Sequence, residues 1–342
     1  MAQGCVAPKD YDVTHLHKNP TTIVANLANL AILAVLVGSS ACQDQTSGPA
    51  DPDATDRPKV ALVMKSLANE FFQTMEDGAR VHQGQDPERY ELFAEGIKNE
   101  LDVVRQIDLV EQMVARGADA LVLAPADSKA LVAAVAKALA AGVTVVNIDN
   151  RLDADALAER GIRIPFVGPD NRGGAGQAAG VLASTLQAGD EVAIIEGAPG
   201  AFNAIQRRLG FEDAMNEAGM VIVASQSGYW EMDSANQVAA GLLLAHPNLK
   251  ALLCANDNMA LGAVAAVREA GKTGQVAVVG FDNISAVKTL VRDGTVLATV
   301  DQHADQIAVN GIEHALAILE GADAPTDLQT AVTLITADTA NE

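Results

Sequence analysis

A chain of 342 residues, 49% apolar and 20% charged, is long enough for two domains with separate cores and too apolar to stay disordered. Its 44 Asp and Glu against 23 Lys and Arg leave a net charge of −21, which repels nucleic-acid backbones and anionic lipid surfaces. Three cysteines, Cys5, Cys42 and Cys254, are too few for a disulfide framework and too scattered for a zinc site, and no metal is expected.

Residues 1–22 are polar and of mixed charge, and they lead into the apolar stretch Ile23 to Val37, broken only by Asn26 and Asn29. That stretch is short of the ~20 residues a spanning helix needs, but it suits the apolar region of an export signal. The small residues of GSSAC before Cys42 resemble a lipoprotein processing site, so residues 1–42 are expected to be an export signal with Cys42 as the lipidated residue. An uncleaved membrane anchor, or a start placed upstream of the true one, is the alternative. Residues 43–58 are acidic and contain Pro and Gly, the composition of a solvated tether. The folded part is expected from Lys59 onward, outside the cytoplasm.

From Lys59 a βα alternation sets in. Apolar runs at Val60 to Met64, Tyr90 to Ala94, Ala120 to Leu123 and Val143 to Ile148 alternate with helical stretches such as Glu100 to Arg116 and Ser128 to Ala141. A second series follows at Pro165 to Val167, Val192 to Ile195, Val221 to Ala224, Leu249 to Ala255, Val276 to Gly280 and Val296 to Val300. Continuous apolar runs joined through helices predict parallel strands buried on both faces, and so many strands predict two doubly wound sheets. The expected lobes are 59–169 plus 303–327 and 170–302 plus 328–338, joined by three chain crossings. Aromatics are only 3% of the chain, so an aromatic at a strand end stands out.

In open parallel sheets ligands sit beyond the carboxyl ends of the strands. Those ends carry Lys65 and Asn69, Asp149 and Asn150, Asn256, Asp282 and Gln302, with Phe71, Phe72 and Trp230 just beyond and Arg207 one turn after Asn203 on a helix. Carboxylates, amides and a guanidinium supply acceptors and forked donors, while rings supply flat apolar faces. The combination suits a sugar, whose hydroxyls both donate and accept. Each residue has a plainer reading as well. Asn69, Asn256 and Asp282 precede helices and are candidate N-caps; Arg207 is a candidate partner for Glu212. Phe71 and Phe72 are adjacent helix positions, which are not expected to face one core stripe together.

The segments KVALVMKSLANEFFQTMEDGA, VVNIDNRLD, FVGPDN, RRLGF, ANDNMALGA, VAVVGFD and LATVDQHADQIAVNG resemble the periplasmic sugar-binding proteins of the ribose and allose type, over Lys59 to about Ala337. The resemblance implies the type I periplasmic binding protein fold: α/β, with two doubly wound parallel-sheet lobes joined by a three-crossing hinge. It implies sugar contacts at the positions of Asn69, Phe71, Phe72, Asp149, Arg207, Trp230, Asn256, Asp282 and Gln302, and Lys65 matches a lysine of the allose-type branch. Glu70 stands where the pattern usually has Pro, and Asn150 fills a position that is Arg in ribose binders and acidic in allose binders. The sugar is therefore left open among pentoses, hexoses and polyols. The implied partners are that ligand and the membrane permease of an ABC transporter, with a monomer expected, no nucleic acid, and membrane contact only through the N-terminal anchor.

Other classes are weaker. Gly174 to Ala179 fits the spacing of a dinucleotide fingerprint, with Glu196 about 20 residues on, but residues 169–173 separate it from the preceding strand. Small residues for close helix packing explain it more simply, and no cofactor is expected. No nucleophile, acid or metal set appears beside Asp149 or Asp282, so no catalytic residue is expected. A sensory module read by a chemoreceptor or kinase is the remaining alternative to transport.

Overall fold

The computed structural model describes residues 57–323 and 326–340. The expected export signal with Cys42, and nearly all of the expected tether, lie outside these residues. No helix among the described residues is long and apolar enough to cross a membrane.

The first lobe runs β1 (Lys59–Ser66), α1 (Glu70–Gln85), β2 (Glu91–Ile97), α2 (Val103–Ala115), β3 (Ala120–Leu123), α3 (Val132–Ala140), β4 (Thr144–Ile148), α4 (Ala154–Glu159) and β5 (Phe166–Pro169). Alternate side chains of β1 leave opposite faces of the sheet. Val60, Leu62 and Met64 join one core with Phe72 and Met75 of α1, while Ala61 and Val63 join another with Val110 of α2 and Val135 of α3. Both faces are covered, which is why the strand reads as an unbroken apolar run.

The second lobe runs α5 (Asn171–Ala183), β6 (Glu191–Glu196), α6 (Phe202–Glu217), β7 (Val221–Ser227), α7 (Met232–Ala245), β8 (Ala251–Cys254), α8 (Asp257–Glu269), β9 (Ala277–Val279), α9 (Ser285–Arg292) and β10 (Ala298–Asp301). The chain then returns as α10 (Ala304–Leu319), which packs on α1, β3 and β4, and finishes with β11 (Leu328–Thr330) and β12 (Thr333–Thr336). The second core is built largely from Ala and Val, and its helices approach closely: a Cβ on Gly210 would lie 2.2 Å from the Arg172 carbonyl oxygen. The glycine stretch sits inside α5, in this packing, and not in a turn between strand and helix.

The sheets have the orders β11-β5-β4-β3-β1-β2 and β12-β10-β9-β8-β6-β7. All pairings are parallel except that of β12 with β10. Strand order reverses between β1 and β3 and again between β6 and β8, the switch points where a doubly wound sheet opens a crevice. One expected boundary is corrected. Leu328–Thr330 pairs with Val167–Pro169 at the edge of the first sheet, so the last crossing falls after Thr330 and not between 327 and 328. A three-residue Leu-Gln-Thr strand is held by backbone pairing and carries no apolar run to reveal it. Helix α9 was not among the expected elements, although its apolar Val287, Leu290 and Val291 recur at helical spacing. His303, in the left-handed region at φ 54°, follows β10 at one crossing and shares a 2.9 Å hydrogen bond with Thr333 Oγ1 at another, tying the two together.

Candidate functional site

The carboxyl ends of both sheets meet at one narrow cavity. Ten of the eleven expected ligand residues line it: Lys65, Asn69, Phe71, Phe72, Asp149, Arg207, Trp230, Asn256, Asp282 and Gln302. Asn150 is the exception and is corrected. It is fully buried, but its Nδ2 donates to the Pro125 carbonyl at 2.9 Å and its Oδ1 accepts from the Asn203 N–H at 3.1 Å, so it joins the lobes beside the cavity instead of lining it. Two lining residues were missed, Glu100 and Asn203. Asn203 shares a helix face with Arg207, a signal the sequence did contain; Glu100 follows β2 in an irregular turn and gives none.

The first lobe contributes a charged cluster. Lys65, next to last in β1, places Nζ 3.1 Å from Asp149 Oδ2 and 4.0 Å from Glu100 Oε2, all three groups being buried. Burial pushes the Glu100 carboxyl up to about 7, against the Lys65 ammonium and the Asn69 amide, which hold it down. The Asn69 amide serves twice, its Oδ1 capping α1 at the Phe71 N–H and its Nδ2 donating to Glu100 Oε1 at 3.0 Å. Phe71 and Phe72 meet edge to face at 5.0 Å. Both join the lobe core and both line the cavity, contrary to the expectation for adjacent helix positions. At a helix start wedged between a core and a cleft, neighbouring side chains each have an apolar surface to meet.

The second lobe contributes an immobilised guanidinium. Arg207 donates from Nε to Asn171 Oδ1 and from Nη1 to the Ala255 carbonyl, both at 2.8 Å, and stacks 3.8 Å from the centroid of Phe281. Nη1 also lies 3.4 Å from Asp282 Oδ1, which accepts from Gln302 Nε2 at 2.6 Å. Burial raises the Asp282 carboxyl well above the usual range, with Arg207 opposing, and burial lowers the Arg207 guanidinium. Asp282 caps no helix, whereas Asn256 caps α8 through the Met259 N–H and donates from Nδ2 to the Trp230 carbonyl. Arg208, not Arg207, pairs with Glu212. Trp230 is 3% exposed and lies between cations of both lobes, 5.7 Å from Lys65 Nζ and 5.5 Å from Arg207 Cζ. Its bed is Gly197, where a Cβ would come within 2.1 Å of the indole.

Two features set this cavity apart from a packed core. Among the described residues, six non-glycine residues have positive φ, and each lines the cavity or adjoins a residue that does: Asp149, Tyr229, Trp230, Asp282, Asn283 and His303. Such conformations cost ~1–3 kcal/mol each and collect where side chains must be aimed. Moreover, Asp149 Oδ2, Asn203 Oδ1, Gln302 Oε1 and Trp230 Nε1 are buried without a hydrogen bond of acceptable geometry, Asp149 despite its ion pair. Beside the ion-paired Asp149, two unpartnered acceptors and one unpartnered donor on residues lining the same space match a ligand carrying several hydroxyls. The two cations are already matched by Asp149 and Asp282, so no positive charge is left over for an anionic ligand. No group of three or more His, Cys, Asp or Glu among the described residues is placed to hold a metal.

A family model described as a periplasmic binding protein domain matches residues 60–323. The D-ribose/D-allose-binding protein of Pseudomonas aeruginosa is 52% identical over 86% of this chain and 92% of its own length. Among solved structures, an ABC transporter solute-binding protein of Burkholderia multivorans with an unknown ligand has a TM-score of 0.80 and 56% identity, covering 82% of this chain and 99% of its own. A periplasmic solute-binding protein of Actinobacillus succinogenes with bound D-allose has a TM-score of 0.78 and 36% identity, over 83% and 99% of the two chains.

Proposed function

The chain belongs to the periplasmic binding protein family, and from that premise we propose that it is an extracytoplasmic solute-binding protein whose lobes close on one neutral monosaccharide or related polyol and present it to an ABC-type sugar transporter. The observation that carries this reading is the set of three unpartnered polar atoms, Asn203 Oδ1, Gln302 Oε1 and Trp230 Nε1, on residues that line one cavity. Each would cost ~1–3 kcal/mol if left unmet, and hydroxyls of a bound ring supply partners for all three. The ten lining residues expected from sequence, together with Glu100 and Asn203, form the proposed ligand shell. Phe71, Phe72 and Trp230 take the ring's C–H faces.

D-ribose and D-allose are the first candidate ligands, because relatives of this chain are named for them. Both cations of the cavity are paired with carboxylates, which argues against sugar phosphates and uronates. No catalytic role is assigned. Asp149 is engaged by Lys65, and Asp282 by Gln302 and Arg207. We place the folded part outside the cytoplasm as a monomer, anchored through Cys42, with the lobes divided at Pro169, at Gln302 and after Thr330. Titration calorimetry against pentoses, hexoses and polyols tests the proposal: D-ribose, D-allose or a close isomer should bind in the micromolar range or tighter. If no member of the panel binds tighter than millimolar, the proposal fails.

A further inference from the structure

Helices α1, α2, α4, α5 and α8 each begin at an Asn or Asp whose side chain accepts a backbone N–H of the first turn. The second-lobe helices α6 and α9 begin instead at Ala201 and Ile284, which supply no side-chain cap. Their first amides are met from the other lobe. The Phe202 N–H donates to Ser128 Oγ at 2.9 Å and the Asn203 N–H to Asn150 Oδ1 at 3.1 Å. The Ser285 N–H donates to Glu70 Oε1 at 2.7 Å, and Ser285 Oγ donates to Glu70 Oε2 at 2.8 Å. Glu70, Ser128 and Asn150 all follow strands of the first sheet, and none lines the ligand cavity.

We propose that Glu70, Ser128 and Asn150 cap α6 and α9 across the cleft and thereby set ligand affinity without touching the ligand. Separating the lobes breaks all of these bonds and returns the helix amides to water, so the caps stabilise the closed arrangement alone. Apparent affinity falls with the population of the binding-competent state. A lost N-cap therefore weakens binding by about 2- to 30-fold, which is ~0.5–2 kcal/mol at 1.4 kcal/mol per factor of ten. The Glu70 bonds are solvent-exposed and belong at the lower end of that range.

The inference rests on the solute-binding reading, and its test separates the two. Calorimetry with D-ribose and D-allose is run on the parent and on Glu70→Ala, Glu70→Gln and Ser128→Ala, alongside hydrogen exchange at the amides of Phe202, Asn203 and Ser285. The two alanine variants should bind 2- to 30-fold more weakly, chiefly through faster dissociation, with ligand-free melting unchanged. Glu70→Gln keeps an acceptor for the Ser285 N–H and should stay near the parent. Parent-like affinity in both alanine variants, or an equal fall in ligand-free melting, overturns the inference while the functional reading stands. If the parent binds neither sugar nor any member of the panel, the functional reading falls and the inference about affinity falls with it; where sugar binds, exchange at these amides should be faster in the sugar-saturated alanine variants than in the saturated parent, and unchanged exchange overturns the caps.

Discussion

Replacing Arg207 by alanine should destabilise the ligand-free protein as well as abolish binding, because this side chain holds the second lobe together before any sugar arrives. Truncation removes two 2.8 Å hydrogen bonds, to Asn171 Oδ1 and the Ala255 carbonyl, and leaves both acceptors buried. It also strands Asp282, and breaking a buried ion pair from one side costs ~3–5 kcal/mol. Two effects hold the loss to the lower end. Opening the cleft lets water reach Asp282, and a carboxyl already raised well above the usual range neutralises itself by taking a proton. A loss of ~3 kcal/mol corresponds to a melting point lower by roughly 4–5 °C for a chain of this length, at ~2.1 cal/mol/K of unfolding entropy per residue. Thermal unfolding without ligand measures it, and Arg207→Met combined with Asp282→Asn should recover more than half, since a neutral pair leaves no stranded charge. A ligand-free Arg207→Ala protein melting within about 1 °C of the parent would refute the reasoning and make Arg207 a ligand contact only.

Trp230 is the single tryptophan, so intrinsic emission reports one site. Saturating sugar should shift it, and Trp230→Phe, which keeps a ring but removes the unpartnered Nε1 donor, should weaken binding by about 0.5–1.5 kcal/mol; an unchanged Kd would mean the indole N–H meets no hydroxyl. Gly197→Ala drives a methyl into the indole and should cost ~1–3 kcal/mol of binding through displacement of the ring, checked by calorimetry and by a changed emission maximum in the ligand-free protein. For Glu100 the sign follows from a folded value of about 7 above the ordinary 4.5: its contribution to stability is present below pH 4.5 and is lost as pH rises through 7, by ~3 kcal/mol in all. Asp257, pushed up to about 6 by burial, adds a slope of the same sign. Denaturant midpoints between pH 4.5 and 7.5 should therefore fall, and should fall less steeply in Glu100→Gln; an identical slope in the variant would remove Glu100 from the account.

Two doubly wound sheets were legible in the sequence because parallel strands covered on both faces must be continuous apolar runs, as Val60 to Met64 and Ala251 to Ala255 are. Ten cavity residues were legible for a related reason: a buried strand has no use of its own for Lys65, Asp149 or Asp282 at its end. The resemblance to sugar-binding proteins then turned separate strand-end residues into one set. What the sequence did not decide was the use of each group once the lobes met. Asn69 and Asn256 are caps and cavity residues together, because an amide has two ends. Asn150 faces the other lobe's helix and not the ligand space, a difference of direction that chain position does not encode. Glu100 follows a turn without periodicity, Leu328–Thr330 is held only by backbone pairing, and the amides of α6 and α9 find their caps 53 to 215 residues away. Local pattern fixes what a segment buries; only the closed tertiary structure fixes which polar groups that burial leaves facing one another.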